Sequence, residues 1–343
     1  MTQTRRSGPT LAVVARAACV SVSTVSKVIN SREDVSPETR RRVEEVLART
    51  GYGRPTMPWS ARAGSGMLVD IVTHGIASSY ASAILGAVED YAHHARLDIV
   101  VSAVLTRTQH SQPARGWLDK IADRGTAGVL LVLVDLSVAQ RAWLSHHRVP
   151  CVALEPMNEL SPEVPSVSVA NRAGAMTATE YLIGLGHRRI AILTGWMGSL
   201  FGRERLGGFQ SAMAAAALPV PAEYVVHGDF AVESAYRAMG RLLDLPDPPT
   251  AVFVSSDLMA LGAYDALRER GVRVPEQMSI VGFDDVSEAR WAEPALTTLH
   301  QPIEEMAVAA MDTLVGMIRG TAPQQVRREF PATLVARRSA VAR

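Results

Sequence analysis

Hydroxyl side chains are concentrated in a short segment near the amino terminus, and one cation stands among them. Residues 21–29 read Ser-Val-Ser-Thr-Val-Ser-Lys-Val-Ile and contain no acidic side chain. Hydroxyl and ammonium groups donate hydrogen bonds to base edges and phosphates, and a helix of this size fits the DNA major groove. The pattern predicts a recognition helix that presents Val22, Ser23, Ser26 and Lys27 outward.

Polar and aromatic side chains also follow apolar segments between residues 150 and 290. Carboxylates and arginine forks form paired hydrogen bonds with neighbouring hydroxyl groups, and aromatic rings stack on a sugar ring. Asp257 has a second interpretation, because a carboxylate that opens a helix also satisfies its free N–H groups. The candidate ligand-binding residues are Glu155, Trp196, Arg203, Arg205, Phe230, Ser256, Asp257 and Asp284.

Three short helices are predicted to position the hydroxyl-rich segment. Thr10, Ser21 and Ser36 each precede apolar residues at helical spacing and can accept a hydrogen bond from the first turn. This compact order favours DNA recognition over the alternative of a small protein-interaction domain. The predicted inward faces contain Leu11, Val14, Ala15, Val25, Val28, Ile29, Val43, Val46 and Leu47.

From Met67 onward, apolar strands alternate with helices. Met67–Thr73 is a predicted strand, and Trp117–Arg124 and Val232–Leu243 are predicted helices. Near-continuous apolar strands in this alternation predict parallel sheets with helices on both faces, and the alternation occurs twice. The predicted fold class is an N-terminal all-α helix-turn-helix head followed by an α/β two-lobed core. Ligands of such folds lie beyond the carboxyl ends of the strands, where the candidate residues stand.

Changes in composition divide the chain. A proline- and glycine-rich stretch separates the predicted head from the core and reads as a linker. The predicted segments are a head at 1–53, a hinge or linker at 54–66, a core at 67–338 and a tail at 339–343. The first lobe is predicted at about 67–167 and 299–328, and the second at about 168–298 and 329–338.

The charge is unevenly distributed along the chain. Residues 1–66 contain 11 basic and 5 acidic side chains, whereas the remainder contains 24 basic and 29 acidic ones. A basic head on a mildly acidic body suits a module that binds a polyanion.

The sequence lacks the features that several other classes of protein require. Cys19 and Cys151 are too few for a disulfide framework, which predicts a reducing, cytoplasmic location. They also have no metal-ligand spacing, and no metal or cofactor is expected. Arg16 interrupts the apolar stretch that could otherwise resemble an export signal. No phosphate-binding loop, zinc-protease motif or nucleophile turn is present.

The head closely resembles the helix-turn-helix of the lactose/galactose repressor (LacI/GalR) family, through Val20-Ser-Val-Ser-Thr-Val-Ser-Lys-Val-Ile-Asn30 and the Val35-Ser-Pro-Glu-Thr-Arg segment. The resemblance implies base contacts from Val22, Ser23 and Lys27. One departure is Cys19, where the family usually has glycine in the turn, and this predicts a strained turn. The implied phosphate contacts are Thr10, Ser21, Thr24, Asn30, Ser36 and Thr39.

The core also resembles this family, and through it the periplasmic sugar-binding proteins. The matching segments include Leu185-Gly-His-Arg-Arg-Ile and Val274-Pro-Glu-Gln-Met-Ser-Ile-Val-Gly-Phe-Asp-Asp285. The resemblance implies effector contacts at Arg205, Phe230, Ser256 and Asp284. The family often has Asn where Ser256 stands, which shortens the reach of this side chain.

In the family, the linker folds into a hinge helix on operator binding, and a leucine wedges into the minor groove. Ala61 stands at that position here, and Pro58 limits the length of any helix. Met57 or Trp59 could supply the apolar wedge instead, and Trp59 could equally pack on the body.

Together these features indicate a transcriptional repressor of carbohydrate-utilisation genes, controlled by a small sugar-like effector between the lobes. A homodimer on a near-palindromic double-stranded operator is expected, because one short helix reads too few bases. The alternatives are a sugar-binding transport protein, which needs an export signal, and an α/β enzyme, which needs a nucleophile and base. Neither alternative explains the basic head.

Overall fold

The computed structural model describes residues 11–29, 35–50, 67–104 and 116–343. The chain forms two compact units, residues 1–65 and 66–343. Predicted contacts at Thr10, Asn30, Met57, Trp59 and Ala61 lie outside the described residues. No described helix is long and apolar enough to cross a membrane.

The first unit contains three helices, α1 (Leu11–Ala17), α2 (Val22–Ile29) and α3 (Pro37–Thr50). Ser21 caps α2, because its Oγ accepts a hydrogen bond from Thr24 N at 3.0 Å. Ser36 accepts one from Thr39 N at 3.3 Å at the start of α3. The buried apolar residues of this unit include Val14, Ala15, Ala18, Val25, Val28, Val35, Val43 and Val46.

Cys19 forms the turn between α1 and α2 with a left-handed backbone, at a φ of 54°. Its N–H donates to Arg16 O at 3.3 Å, and the next residue, Val20, donates to Ala15 O at 3.0 Å. A side chain with a Cβ adopts this conformation at a cost of about 1–2 kcal/mol. The predicted strain in this turn therefore has a structural basis.

Replacing Cys19 with glycine is expected to stabilise the head by about 0.5–1 kcal/mol, because glycine adopts positive φ at little cost. Hydrogen exchange of the α1 and α2 amides in the full chain measures this change. Cys19→Ala is the matched control, since it removes the thiol but keeps the Cβ. Equal protection in the Gly and Ala variants would show that backbone strain does not limit stability here.

The first lobe of the second unit is built on a six-stranded parallel sheet of order β11-β5-β4-β3-β1-β2. Its central strand β3 is buried along its whole length because helices cover both faces of the sheet. The strands are β1 (Met67–Thr73), β2 (Leu97–Ala103), β3 (Gly128–Val132), β4 (Cys151–Leu154), β5 (Ser166–Val169) and β11 (Arg327–Phe330). The helices are α4 (Ser79–Ala95), α5 (Trp117–Arg124), α6 (Val138–His146) and α12 (Ile303–Ile318).

The second lobe has a four-stranded parallel sheet of order β7-β6-β8-β9. Its strands are β6 (Ile190–Thr194), β7 (Val225–His227), β8 (Ala251–Val254) and β9 (Ser279–Val281). Its helices are α7 (Asn171–Gly184), α8 (Leu200–Ala215), α9 (Val232–Leu243), α10 (Asp257–Glu269) and α11 (Ser287–Trp291), with a 3₁₀ turn at Ala222–Tyr224. The predicted α/β core with parallel sheets is confirmed.

The chain passes between the two sheets after Val169, after His300 and after Phe330. Beside these passages, β10 (Thr298–His300) pairs antiparallel with β12 (Thr333–Val335). Three chain passages that share a small ribbon restrict the relative motion of the lobes to a hinge.

Residues 339–343, assigned from the sequence to a tail, pack against the second lobe. Ser339 is fully buried, and its hydroxyl donates to Ile280 O at 2.6 Å. The imidazole of buried His187 contacts Thr250, Ser279 and Val341 O, and Arg343 N donates to Leu185 O at 2.8 Å. Burial lowers the pKa of His187, so the neutral ring holds this end of the chain in place.

Candidate ligand site and nucleic-acid interface

A cavity of about 270 Å³ lies between the two lobes at the carboxyl ends of the strands. Its size approaches the lower end of the range for small-molecule sites, about 300–1,000 Å³. The cavity brings together six of the residues predicted from the sequence: Glu155, Trp196, Arg205, Phe230, Ser256 and Asp284.

The other two predicted residues stand outside the cavity lining. Arg203 is exposed, and its Nη1 donates to Met197 O and Gly198 O in the turn before α8. Asp257 is fully buried, and its carboxylate accepts hydrogen bonds from Thr298 Oγ1 and Val286 N. The Asp257 carboxylate therefore stabilises the β9–β10 region and is not part of the cavity lining. Ser256 lines the cavity and is also the N-cap of α10.

Further lining residues were missed, chiefly those from the first lobe. His74 directly follows β1 and Leu133 directly follows β3, so both stand at strand ends in the first sheet. The candidates predicted from the sequence stand just after strands, chiefly those of the second lobe. The same criterion applied after β1 and β3 would have identified these two positions. The missed lining residues are His74, Ser78, Ser79, Tyr80, Leu133, Met157, Phe201, Asp229, Leu258 and Val286.

Arg205 is the central buried cation of the site, with 4% of its surface exposed. Its Nε donates to Asn171 Oδ1 at 2.8 Å, and its Nη1 donates to Ser255 O and lies 3.5 Å from Asp284 Oδ1. The guanidinium carbon lies 3.7 Å from the centroid of the Phe283 ring. These contacts fix the guanidinium in one orientation, since a planar fork loses little further freedom.

The polar network continues from Asp284 into the first lobe. Gln301 is almost fully buried, and its Nε2 donates to Asp284 Oδ1 at 2.7 Å. Its Oε1 accepts a hydrogen bond from Tyr80 OH at 2.9 Å. A continuous chain of hydrogen bonds therefore joins Arg205 in the second lobe to α4 in the first.

Burial dominates the acid–base behaviour of the two cavity carboxyls. Loss of solvation raises the pKa of Glu155 to about 7, although Val169 N, Arg205 and Asn171 favour its charged form. Loss of solvation also raises the pKa of Asp284, against the opposing effect of Arg205. The charge of the cavity therefore changes near neutral pH.

Unusual backbone conformations cluster at this cavity. Leu133, Glu155, Phe230 and Asp284 all have positive φ, at 54°, 52°, 68° and 124°. Strained residues of this kind persist where the surrounding structure holds them, and they concentrate at functional sites. All four residues line the cavity.

Aromatic rings form one wall of the cavity. The rings of Phe201 and Phe230 have centroids 5.3 Å apart, and Trp196 also lines the space. Gly195 allows Phe230 to approach, because a Cβ there would lie 1.8 Å from the ring. Rings beside carboxylates and a guanidinium suit a ligand with an apolar face and hydroxyl groups.

The described residues offer no cluster of metal ligands at the cavity. Among the described residues, no group of three or more His, Cys, Asp or Glu side chains could hold a metal ion. The lining combines carboxylates, hydroxyl groups and aromatic rings around the fixed guanidinium of Arg205, an arrangement that can bind a polar ligand.

The head presents the predicted recognition residues on its surface. Val22, Ser23 and Lys27 are exposed on α2, with 46% of Val22 accessible. Ser21 Oγ lies 2.7 Å from Ser23 Oγ and 2.8 Å from Thr24 Oγ1, so these hydroxyls form one cluster at the start of α2. Ser36 and Thr39 form a similar pair at the start of α3.

Family models match both units of the chain. Residues 10–54 match the model of bacterial regulatory proteins of the lacI family. Residues 179–340 match the model of the periplasmic binding protein-like domain.

Individual relatives match nearly the whole chain. The HTH-type transcriptional repressor PurR of Escherichia coli O139:H28 is 32% identical over 332 residues, 96% of each chain. A solved complex of the transcriptional regulator CelR with cellobiose is 33% identical, with a TM-score of 0.72, and covers 96% of this chain and 99% of that one. A lac repressor dimer bound to operator and the anti-inducer ONPF is 26% identical, with a TM-score of 0.70, over 98% and 100%. The chain therefore belongs to the lacI family of bacterial regulatory proteins, and it is a transcriptional regulator rather than an enzyme.

Proposed function

We propose that this regulator is a cytoplasmic, homodimeric repressor of carbohydrate-utilisation genes. A small sugar or sugar derivative binds in the cavity between the lobes and controls the affinity for a near-palindromic operator. The observation that carries the proposal is the cavity itself, in which Glu155, Arg205 and Asp284 share the lining with aromatic rings. The solved complex of CelR contains cellobiose, which supports a sugar as the ligand.

The proposed DNA contacts lie on the head. Val22 meets a thymine methyl group, Ser23 donates to a base edge, and Lys27 donates to a guanine or a phosphate. Two copies of α2 read two half-sites, which supplies the specificity that one short helix lacks. The proposed phosphate contacts are Thr10, Ser21, Thr24, Asn30, Ser36 and Thr39, and Met57, Trp59 and Ala61 are the proposed minor-groove residues.

Effector binding acts through the angle between the lobes. A ligand that binds one lobe arrangement better than the other shifts the population toward that arrangement. The hydrogen-bond chain from Arg205 to Tyr80 spans the cleft, so it senses both the ligand and the closure. The population of dimers with DNA-competent heads changes accordingly.

The DNA proposal predicts that Lys27→Ala weakens operator binding by about 1–3 kcal/mol, because one donor to the groove is lost. An operator is first selected from random duplex DNA with the full chain, and both proteins are then titrated by fluorescence anisotropy. Arg41→Ala is the control, since it removes an equal charge from the exposed surface of α3. Equal operator affinities of the wild type and the Lys27 variant would contradict the assignment.

The same titration tests the effector. Neutral sugars of one and two rings are added to the protein–operator complex and, separately, to the free protein in a calorimeter. The proposal predicts that at least one sugar binds the free protein and changes operator affinity by about 5- to 150-fold. A protein that binds operator but responds to none of the sugars would refute the sugar part of the proposal alone.

A further inference from the structure

A second link between the lobes lies beside the cavity and outside the Arg205 network. Ser79 Oγ in the first turn of α4 donates a hydrogen bond to Glu288 Oε1 in α11. Ser79 belongs to the first lobe and Glu288 to the second. The contact therefore spans the cleft, and it exists only while the lobes are close together.

The carboxylate of Glu288 is only half satisfied in this position. Its Oε2 is buried and has no hydrogen-bond partner among the residues that the structure describes. A buried acceptor without a partner carries a desolvation cost, which is removed when the cleft opens and water reaches the oxygen. The contact is therefore reversible, because the hydrogen bond gained at Oε1 is opposed by the loss of solvation at Oε2.

The position of Glu288 also matches the dipole of α4. The Ser78 side chain caps this helix by accepting from Ala81 N at 3.1 Å, and Ser79, which contacts Glu288, is the first residue of the helix. A carboxylate near a helix N-terminus is stabilised by the partial positive charge there. Glu288 therefore attracts the end of α4 as well as the Ser79 hydroxyl.

The start of α4 supplies part of the first-lobe wall of the cavity. Ser78, Ser79 and Tyr80 all line it, together with Val286, which lies two residues before Glu288. Glu288 is not itself a lining residue, so it influences a ligand only through the wall that it holds.

We propose that Glu288 is a positioning residue of the effector site, which holds the first turn of α4 against the second lobe and so completes the cavity. Its role in effector binding rests on the proposed function, whereas its role in cleft closure does not. Loss of Glu288 frees the wall formed by Ser78–Tyr80 while leaving Arg205, Asp284 and Gln301 in contact with each other. Effector affinity falls because the open arrangement must first be closed.

Distances between the lobes test this proposal without any ligand. Spin labels at exposed Lys120 and Glu223, placed on the full chain with Cys19 and Cys151 replaced by alanine, report the lobe separation. Glu288→Ala and Ser79→Ala are each expected to shift the distribution toward longer distances. The double variant is expected to match the single ones, since both remove the same contact.

Two further variants separate the contact from general effects of charge. Glu288→Gln keeps an acceptor for Ser79 and loses only the charge near the α4 N-terminus, so it is expected to restore most of the closed distribution. Glu293→Ala removes an exposed acid that pairs with Arg338 on the surface of the same lobe, and it is expected to leave the distribution unchanged. A Glu288→Ala distribution equal to that of the wild type, or additive effects in the double variant, would overturn the proposal.

Sugar affinity gives the functional readout. For any sugar that binds the wild type, Glu288→Ala is expected to weaken binding by about 5-fold or more, whereas Glu293→Ala is expected to bind the sugar as the wild type does. Unchanged affinity in an opened variant would overturn the positioning role. If no sugar binds the wild type, the sugar proposal fails, and the distance measurement still decides whether Glu288 holds the cleft.

Discussion

Replacing Arg205 with alanine is expected to abolish the effector response and to lower the free energy of unfolding by about 3–5 kcal/mol. The large effect on stability follows from burial. Asp284 loses its cation within the protein, while Asn171 Oδ1 and Ser255 O lose their donor. Burial lowers the pKa of His74 and favours its neutral imidazole. Effector binding fails because Arg205 is then the one cationic side chain among the described lining residues.

Denaturant unfolding and calorimetric titration with an active sugar measure the two effects separately. Arg203→Ala is a close control, because Arg203 lies on the same helix, is exposed and points to carbonyl groups outside the cavity. A second variant, Arg205→Ala with Asp284→Asn, removes the stranded carboxylate and is expected to regain part of the stability but none of the effector response. An unchanged sugar titration in Arg205→Ala would refute the role of this residue in binding.

Arg203 and Arg205 show that the local sequence does not determine which side chain of a helix faces the cavity. Both open a helix after an apolar strand, and both carry the chemistry that a sugar site needs. At 100° per residue, two positions along a helix differ by about 200° in direction, so one side chain faces the cavity when the other faces away. The choice depends on how α8 packs against its sheet, which the local pattern does not contain.

The adjacent pair Ser256 and Asp257 shows the same limit. The sequence places both at the end of β8 and leaves Asp257 between a capping role and a ligand role. In the structure the N-cap is Ser256, and Asp257 turns toward Thr298 and Val286, which approach from a segment 29 or more positions away. Long-range packing therefore decided a question that the residue types had left open.

Elements with strong patterns were predictable, and weakly patterned ones were not. Met67–Thr73, Trp117–Arg124 and Val232–Leu243 have the bounds predicted from the sequence. By contrast, β5 reads Ser-Val-Ser-Val over only four residues, and α12 is apolar around most of its circumference. A helix without a clear polar face lacks the signal that periodicity detects.

The second large effect concerns Glu155, whose side chain is buried with 2% exposed. Its carboxylate accepts hydrogen bonds from Val169 N and Asn171 Nδ2, yet burial still raises its pKa to about 7. The unfolded chain gives glutamate a pKa near its ordinary value of about 4.3. The folded state therefore binds a proton more tightly, and the stability from this group is full below pH ~4.3 and is lost as the pH rises through about 7.

Glu155→Gln is expected to remove this part of the pH dependence and to raise the free energy of unfolding at pH ~8 by about 1–3 kcal/mol relative to the wild type. The full shift corresponds to roughly 3 kcal/mol, but the new amide faces Asn171 Nδ2 and loses that hydrogen bond, which reduces the gain. Near pH ~4.5 the two proteins are expected to differ little. Urea unfolding at several pH values measures the difference, with the exposed Glu159→Gln as the control. Parallel profiles of the wild type and Glu155→Gln across this range would show that Glu155 is not the group that titrates.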